Sequence, residues 1–119
     1  VEKDEGPDSV IGVTEYEFPP NLSLNCDNCG YMIENNPALP FANDNTRSQD
    51  FEALFRPNGA IYTSYWGSFK KHRNFFKGKV EGVFMSREDS VDIDTELDLV
   101  VCEAVLKWKK RKELKIKND

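Results

Sequence analysis

Ser90-Val91-Asp92-Ile93-Asp94-Thr95-Glu96-Leu97-Asp98 brings an apolar run of strand type, two alternate carboxylates and a strong helix start into one short stretch. In an extended chain successive side chains alternate faces, so Asp92 and Asp94 are expected on one side and Val91 and Ile93 on the core side. Two carboxylates at a strand end suit a hard divalent cation, and for a phosphate substrate that is Mg²⁺ kept partly hydrated. The same acids before and within a first helical turn also stabilise the positive end of the helix and need no metal for it. Spacing alone leaves both readings open.

Toward the C-terminus the stretch runs into a helix. Thr95 is placed to act as its N-cap with Asp98 three residues on, a variant of the capping box. Leu97, Val101, Ala104, Val105 and Trp108 recur at helical spacing and are expected to form its buried face. Lys109, Lys110, Arg111, Lys112, Lys115 and Lys117 follow. Cations at a helix C-terminus are favoured by its dipole, so a solvated helix end accounts for them, with a nucleic-acid or membrane patch as the competing reading.

Toward the N-terminus, residues 80–85 read as a strand in which Gly82 marks a bulge or a close backbone approach. Residues 67–77 read as a short helix carrying Lys70, Lys71, His72 and Arg73, and residues 60–66 as a central strand. Pro57-Asn58-Gly59 reads as a turn, proline presetting its dihedral and glycine permitting positive φ. Residues 50–55 are expected to make a helical turn. Residues 35–49, rich in Asn, Pro and Asp, read as a long loop of the kind that is functional, mobile or covered by a partner. Residues 22–25 and 31–34 flank a turn and predict a β-hairpin. Residues 9–16 are β-branched and aromatic, and predict a buried strand stopped by Pro19-Pro20.

Composition narrows the function classes. With 119 residues the chain is at most one domain with a modest core, and nothing in it requires metals or disulfides to fold. A net charge of -5 argues against general nucleic-acid binding. No apolar run is long enough to span a membrane and the polar opening is not a signal peptide, so a cytoplasmic protein is expected. Three cysteines, Cys26, Cys29 and Cys102, make a poor disulfide framework and fit a reducing compartment. The Cys26-Asp27-Asn28-Cys29-Gly30 segment is best explained as turn chemistry. A zinc site is the weaker alternative, since only Cys102 and His72 remain to complete it.

Several separate motifs, in order, resemble one family. Arg56-Pro57-Asn58-Gly59-Ala60-Ile61-Tyr62, then Phe75-Phe76, then Met85-Ser86-Arg87-Glu88-Asp89 running into Ser90 to Asp98, are similar to the C-terminal half of the acylneuraminate cytidylyltransferases, the CMP-sialic acid synthetases. The resemblance implies an α/β fold: one partial domain over residues 1–119, holding part of a doubly wound nucleotidyltransferase sheet and a long C-terminal helix over one side of it. Residues 17–50 would be a β-hairpin and loop serving dimerisation, and a homodimer or higher assembly follows. It implies Mg²⁺ on Asp92 and Asp94 as the catalytic pair, with CTP and a nonulosonic acid as substrates. Tyr62, Phe75 and Phe76 would form an aromatic wall against the acyl group of the sugar, contributed across a dimer interface, although strand aromatics read bottom-up are ordinarily core. Arg56 and Asn58 match site positions, with a structural salt bridge as the other reading of Arg56.

The chain departs from the family pattern in two places. Ser48 precedes Gln49, with Arg47 one residue earlier, and Pro20 is followed by Asn21 and Leu22. The identity of the nonulosonic acid, among sialic, legionaminic and pseudaminic acids, is left open by these positions, as is the role of Arg47. No glycine-containing basic phosphate loop occurs in the sequence, so the chain is expected to be a C-terminal fragment without a triphosphate cradle and inactive alone. The rival from another class is a non-catalytic, self-associating or partner-binding α/β module whose aspartates only cap a helix.

Overall fold

The computed structural model describes residues 6–35 and 52–119. Their elements in chain order are β1 (Ser9–Glu15), a 3₁₀ turn (Pro20–Leu22), β2 (Leu24–Cys26), β3 (Met32–Glu34), β4 (Phe55–Ser64), α1 (Trp66–His72), β5 (Val80–Phe84) and α2 (Glu96–Asn118). The chain divides into two compact units: residues up to Thr14 with Pro57–Asp119, and Glu15–Arg56.

The first unit is built on a three-stranded sheet in the order β4-β1-β5. Ser-Val-Ile-Gly-Val-Thr is buried almost without a break, as expected of a central strand covered on both faces, and Ile11 and Val13 supply its apolar burial. β1 and β5 run parallel, with Ile11 opposite Gly82 and Val13 opposite Phe84, and Met85 N–H extends the ladder to the Val13 carbonyl at 2.8 Å. β4 runs the other way beside β1. Tyr65 N–H reaches the Asp8 carbonyl at 3.4 Å, while farther along Gly12 lies against Asn58 and Ile61. The result is a mixed sheet with a long C-terminal helix, the α/β class expected.

Asp8 fastens one end of this sheet, just before its central strand. Its carboxylate accepts from Lys79 N–H at 2.8 Å and from the Ser68 hydroxyl at 2.9 Å, and its carbonyl accepts from the Ser64 hydroxyl at 2.9 Å. These bonds, with the His72 ring 4.0 Å away, hold the Asp8 carboxyl below the usual carboxylate range, the Lys79 amide contributing most. Gly78, at φ +79°, lets the backbone pass so close to this carboxylate that a β-carbon there would overlap it.

The second unit contains the expected hairpin. β2 and β3 pair antiparallel, Asn25 opposite Ile33. The turn is built by Asp27, whose Oδ1 accepts from Cys29 N–H at 2.8 Å and from Tyr31 N–H at 2.9 Å, with Gly30 at φ +88°. This is the turn chemistry read from the sequence, and Cys26 and Cys29 are both free and exposed.

Four local readings are corrected. Phe55-Arg56-Pro57-Asn58-Gly59 lies inside β4, and residues 52–54 have no regular structure where a helical turn was expected. The Asn-Gly signal is real, but it makes a kink within the strand: Gly59 has φ +75° and Asn58 Oδ1 accepts from Ala60 N–H at 3.1 Å. Trp66 begins α1, which stops at His72 where Arg73 turns left-handed at φ 54°. Val91-Asp92-Ile93 is irregular, not a strand, and Ile93 is exposed.

The fourth correction concerns α2. The helix and its capping box are present, with the Thr95 hydroxyl accepting from Asp98 N–H and Asp98 accepting from Thr95 N–H. No residue of α2 is buried, however, and of the expected apolar face Leu97 is 71 % exposed. The half-buried side is Asp98, Cys102, Val105 and Lys109, spaced four, three and four. Periodicity fixes which residues share a side of a helix but not which side meets the protein. On the half-buried side Lys109 pairs with Asp89. Among the described residues no helix is long and apolar enough to cross a membrane.

Candidate functional site

Asn58 sits at the strand kink and is 8 % exposed. Its Nδ2 donates to Ser90 Oγ at 3.0 Å and lies 3.1 Å from Met85 Sδ, while its Oδ1 is used by Ala60 N–H. Every polar valence of the amide that burial would otherwise leave costly is therefore met inside the protein. Ser90 is 3 % exposed and passes its own proton to the Ser86 carbonyl at 2.7 Å. Ser90 N–H closes a turn on the Arg87 carbonyl at 3.0 Å. The segment between β5 and the aspartates is thus tied back to β4.

Beyond Ser90 the chain emerges to solvent. Asp92 and Asp94 are both exposed, and neither carboxylate makes a hydrogen bond or ion pair with another described residue. Asp94 is braced through its backbone, its N–H donating to Asp98 Oδ2 at 3.1 Å. The same oxygen takes the Thr95 hydroxyl at 2.8 Å and Thr95 N–H at 2.9 Å. These bonds hold the Asp98 carboxyl below its ordinary range, the Thr95 hydroxyl first among them. Asp98 does the capping, which leaves Asp92 and Asp94 unengaged. Two uncommitted, exposed carboxylates are hard oxygen donors of the kind Mg²⁺ takes while keeping several waters, so the donor set fits that ion. Among the described residues no cluster of three or more histidine, cysteine or acidic side chains has a metal-holding arrangement. Any further ligands would come from solvent or substrate.

Tyr62 converges with the adjacent pair Phe75 and Phe76, which lie farther along the chain. The Tyr62 ring lies 5.6 Å from Phe75, tilted, and 5.9 Å from Phe76, edge-on. Tyr62 is 42 % and Phe76 54 % exposed, so the group is a surface platform and not core. Phe69 extends it, 5.1 Å from Phe75, and Trp66 stacks beyond Phe69 at 6.5 Å. Phe69 and Trp66 were missed as partners of this group; their spacing of three, on one side of α1, was the available signal.

Arg56 belongs to the Glu15–Arg56 unit, where its guanidinium pairs with Glu17 Oε1 at 3.2 Å. That is the structural salt bridge held open in the sequence reading. Arg47 and Gln49 lie outside the described residues.

Comparison with known proteins gives a consistent result. The chain is 31 % identical over 93 residues to the N-acylneuraminate cytidylyltransferase of Streptococcus agalactiae serotype III. It is equally similar to the enzymes so named from serotypes Ia and V of the same species. This chain is a relative of the N-acylneuraminate cytidylyltransferases. The similarity takes in 78 % of this chain but 22 % of each relative, so the chain spans about a fifth of the length of the cytidylyltransferases it matches. No protein-family model matches it.

Proposed function

We propose that this chain supplies the metal-binding and sugar-recognising portion of a cytidylyltransferase that joins a nonulosonic acid of the N-acylneuraminate type to CTP, giving the CMP-sugar and pyrophosphate. The observation that carries the reading is the pair of exposed, unengaged carboxylates of Asp92 and Asp94 beside a helix cap that Asp98 already provides. Asp98 already supplies the hydrogen-bonded cap, and attraction of Asp92 and Asp94 to the positive end of α2 is the rival that the product-formation test separates.

In this reading Asp92 and Asp94 hold Mg²⁺, with waters and substrate oxygens completing its shell. The bound ion would neutralise charge developing on the reacting phosphate and help orient the attacking hydroxyl. The chain's own contribution is placement. Tyr62, Phe75 and Phe76 present ring faces and edges on which an acyl methyl group can rest, removing apolar surface from water. Arg56 offers a planar fork matched to a carboxylate such as the C1 acid of the sugar, a fork that Glu17 holds in the free protein. Arg47 and Gln49 are assigned to the sugar by the family resemblance alone. The sheet is read as part of the doubly wound nucleotidyltransferase sheet, and the Glu15–Arg56 unit as its dimerisation region. Exposed Phe18, Tyr31, Met32 and Ile33 in that unit support the latter reading.

Product formation tests the proposal. The protein at its full natural length, given CTP, Mg²⁺ and N-acylneuraminate, should release pyrophosphate and form CMP-sugar. Asp92→Asn and Asp94→Asn should each lower the rate by roughly 100-fold or more, the scale of losing a preorganised charge-stabilising group. The 119-residue chain alone should form no product above the buffer control. Unchanged rates in both variants would remove the aspartates from the reaction.

A further inference from the structure

Asn58 occupies a position at which a side chain facing the substrate is expected, yet its amide is buried and spent on protein partners. We infer that Asn58 and Ser90 are positioning residues: together they anchor the segment that carries Asp92 and Asp94 to the central sheet, and so set where the two carboxylates lie. The inference rests on the metal role of Asp92 and Asp94 proposed above.

Three observations build the anchor. The first is the hydrogen bond at 3.0 Å between two nearly buried side chains 32 residues apart, one on β4 and the other two residues before Asp92. The second is Gly12 at the middle of β1. A β-carbon there would sit 2.6 Å from Asn58 Oδ1, so the space the amide occupies exists only because residue 12 has no side chain. The third is directionality. Asn58 Nδ2 gives its proton to Ser90 Oγ, and Ser90 gives its own to the Ser86 carbonyl, so one chain of donors runs from β4 into the loop after β5. Replacing either residue by alanine breaks that chain at a buried point. The irregular segment after Ser90 has no strand ladder to replace the lost bond.

This differs from a purely structural role in what it predicts. A structural bond alone would change stability and leave metal affinity of the folded protein unaltered. A positioning bond changes the affinity of the folded site, because it fixes the backbone from which the two carboxylates extend without touching them, and groups that orient metal ligands alter affinity when they are removed.

The test is Mn²⁺ titration of the ¹⁵N-labelled chain, reading paramagnetic broadening at the Asp92 and Asp94 amides. It compares the unaltered chain with Ser90→Ala, Ser90→Thr, Asn58→Ala and Asp92→Asn. Undisturbed β1 and β5 amide shifts identify variants that keep their fold. Should Asn58→Ala unfold, the Ser90 pair alone carries the comparison, since Ser90→Thr retains the hydroxyl. The expected result is saturable broadening in the unaltered chain, abolished in Asp92→Asn. It should weaken roughly three- to tenfold in folded Ser90→Ala, a little below the usual effect of outer-layer partners, and recover in Ser90→Thr. Equal Mn²⁺ affinity in the unaltered chain and folded Ser90→Ala, with loss in Asp92→Asn, overturns the positioning role and leaves the metal site standing. Absence of broadening at Asp92 and Asp94 in the unaltered chain overturns the metal reading, and the inference with it.

Discussion

Asn58 Nδ2 lies 3.0 Å from Ser90 Oγ, a buried side-chain hydrogen bond that joins the Arg56-Pro57-Asn58-Gly59 element to the aspartate-bearing segment across 32 residues. In a chain whose described core has few fully buried apolar residues, such a bond ties motif to motif where apolar packing is thin. Losing one partner strands the other in a place water does not reach. Asn58→Ala should therefore destabilise the protein by about 1–3 kcal/mol, measured by urea denaturation with an unchanged m-value.

Gly12 is coupled to the same amide. Gly12→Ala forces its new methyl against Asn58 Oδ1, and overpacking of this kind costs about 1–3 kcal/mol. With Asn58→Ala in the same chain the collision disappears. The double variant should be more stable than the sum of the two single losses implies, and a double-mutant cycle reads the difference. Strict additivity would mean that Gly12 is needed for some other reason.

Much of this was legible beforehand, and the parts that were not share a cause. β1, the β2–β3 hairpin, β5 and the start of α2 were read correctly because their signals are local: β-branched runs, an Asx turn at Asp27, a Thr95–Asp98 cap. The family resemblance groups Tyr62, Phe75 and Phe76 as a wall contributed across a dimer interface; that the three rings meet within one chain is a tertiary fact no local signal records. Pro57-Asn58-Gly59 reads as a turn because its turn chemistry is genuine, while the pairing of β4 with β1 that carries the strand through it is a tertiary fact. The exposed side of α2 was misassigned for a related reason. Leu97 and Trp108 look like core, yet the half-buried side is the one that carries Cys102 and Lys109, and no periodicity records which side meets the protein. Asn58 pointed to a ligand in sequence; its burial against Ser90 is a tertiary fact.

Asp8 gives a pH dependence with a definite sign. Its carboxyl is held below the ordinary value of 3.8 by Lys79 N–H first and then by Ser68, His72 and Lys71, so the folded state binds its proton less readily than the unfolded chain. The stabilisation is complete above the unfolded value and is lost as pH falls through the folded one. Compared with Asp8→Asn, the unaltered chain should be the more stable at neutral pH, with the difference shrinking in acid. Denaturation curves of both proteins at about pH 7 and at successive steps below about pH 4 read it. A difference that grows on acidification would contradict the assignment.

Thr95 caps a helix that gains little from burial. Thr95→Ala removes the acceptor for Asp98 N–H and should cost about 0.5–2 kcal/mol. Helical circular dichroism should fall at moderate urea concentrations before the β-sheet signal does. Thr95→Ser, which keeps the oxygen, should behave like the unaltered chain.

The hairpin offers a separate test of assembly. Tyr31 is 72 % and Met32 61 % exposed at the β2–β3 turn and strand. If this unit serves dimerisation, Tyr31→Ser with Met32→Ser should shift sedimentation from dimer toward monomer by about tenfold or more in dissociation constant, the scale expected when buried aromatic anchors are removed. An unaltered sedimentation profile would take the hairpin out of the interface.

An NMR titration of the chain with N-acylneuraminic acid in the presence of Mg²⁺, observing aromatic and backbone signals together, tests whether this chain holds the sugar and the metal at one site. Saturable shifts are expected for the Tyr62, Phe75 and Phe76 rings and for the Asp92 and Asp94 amides. Nuclear Overhauser contacts from the acyl methyl to the phenylalanine rings are expected as well, all of them lost in Phe76→Ala. Saturable binding that leaves those three rings and both aspartates unmoved, or no binding up to the solubility of the sugar, would contradict a single site for both.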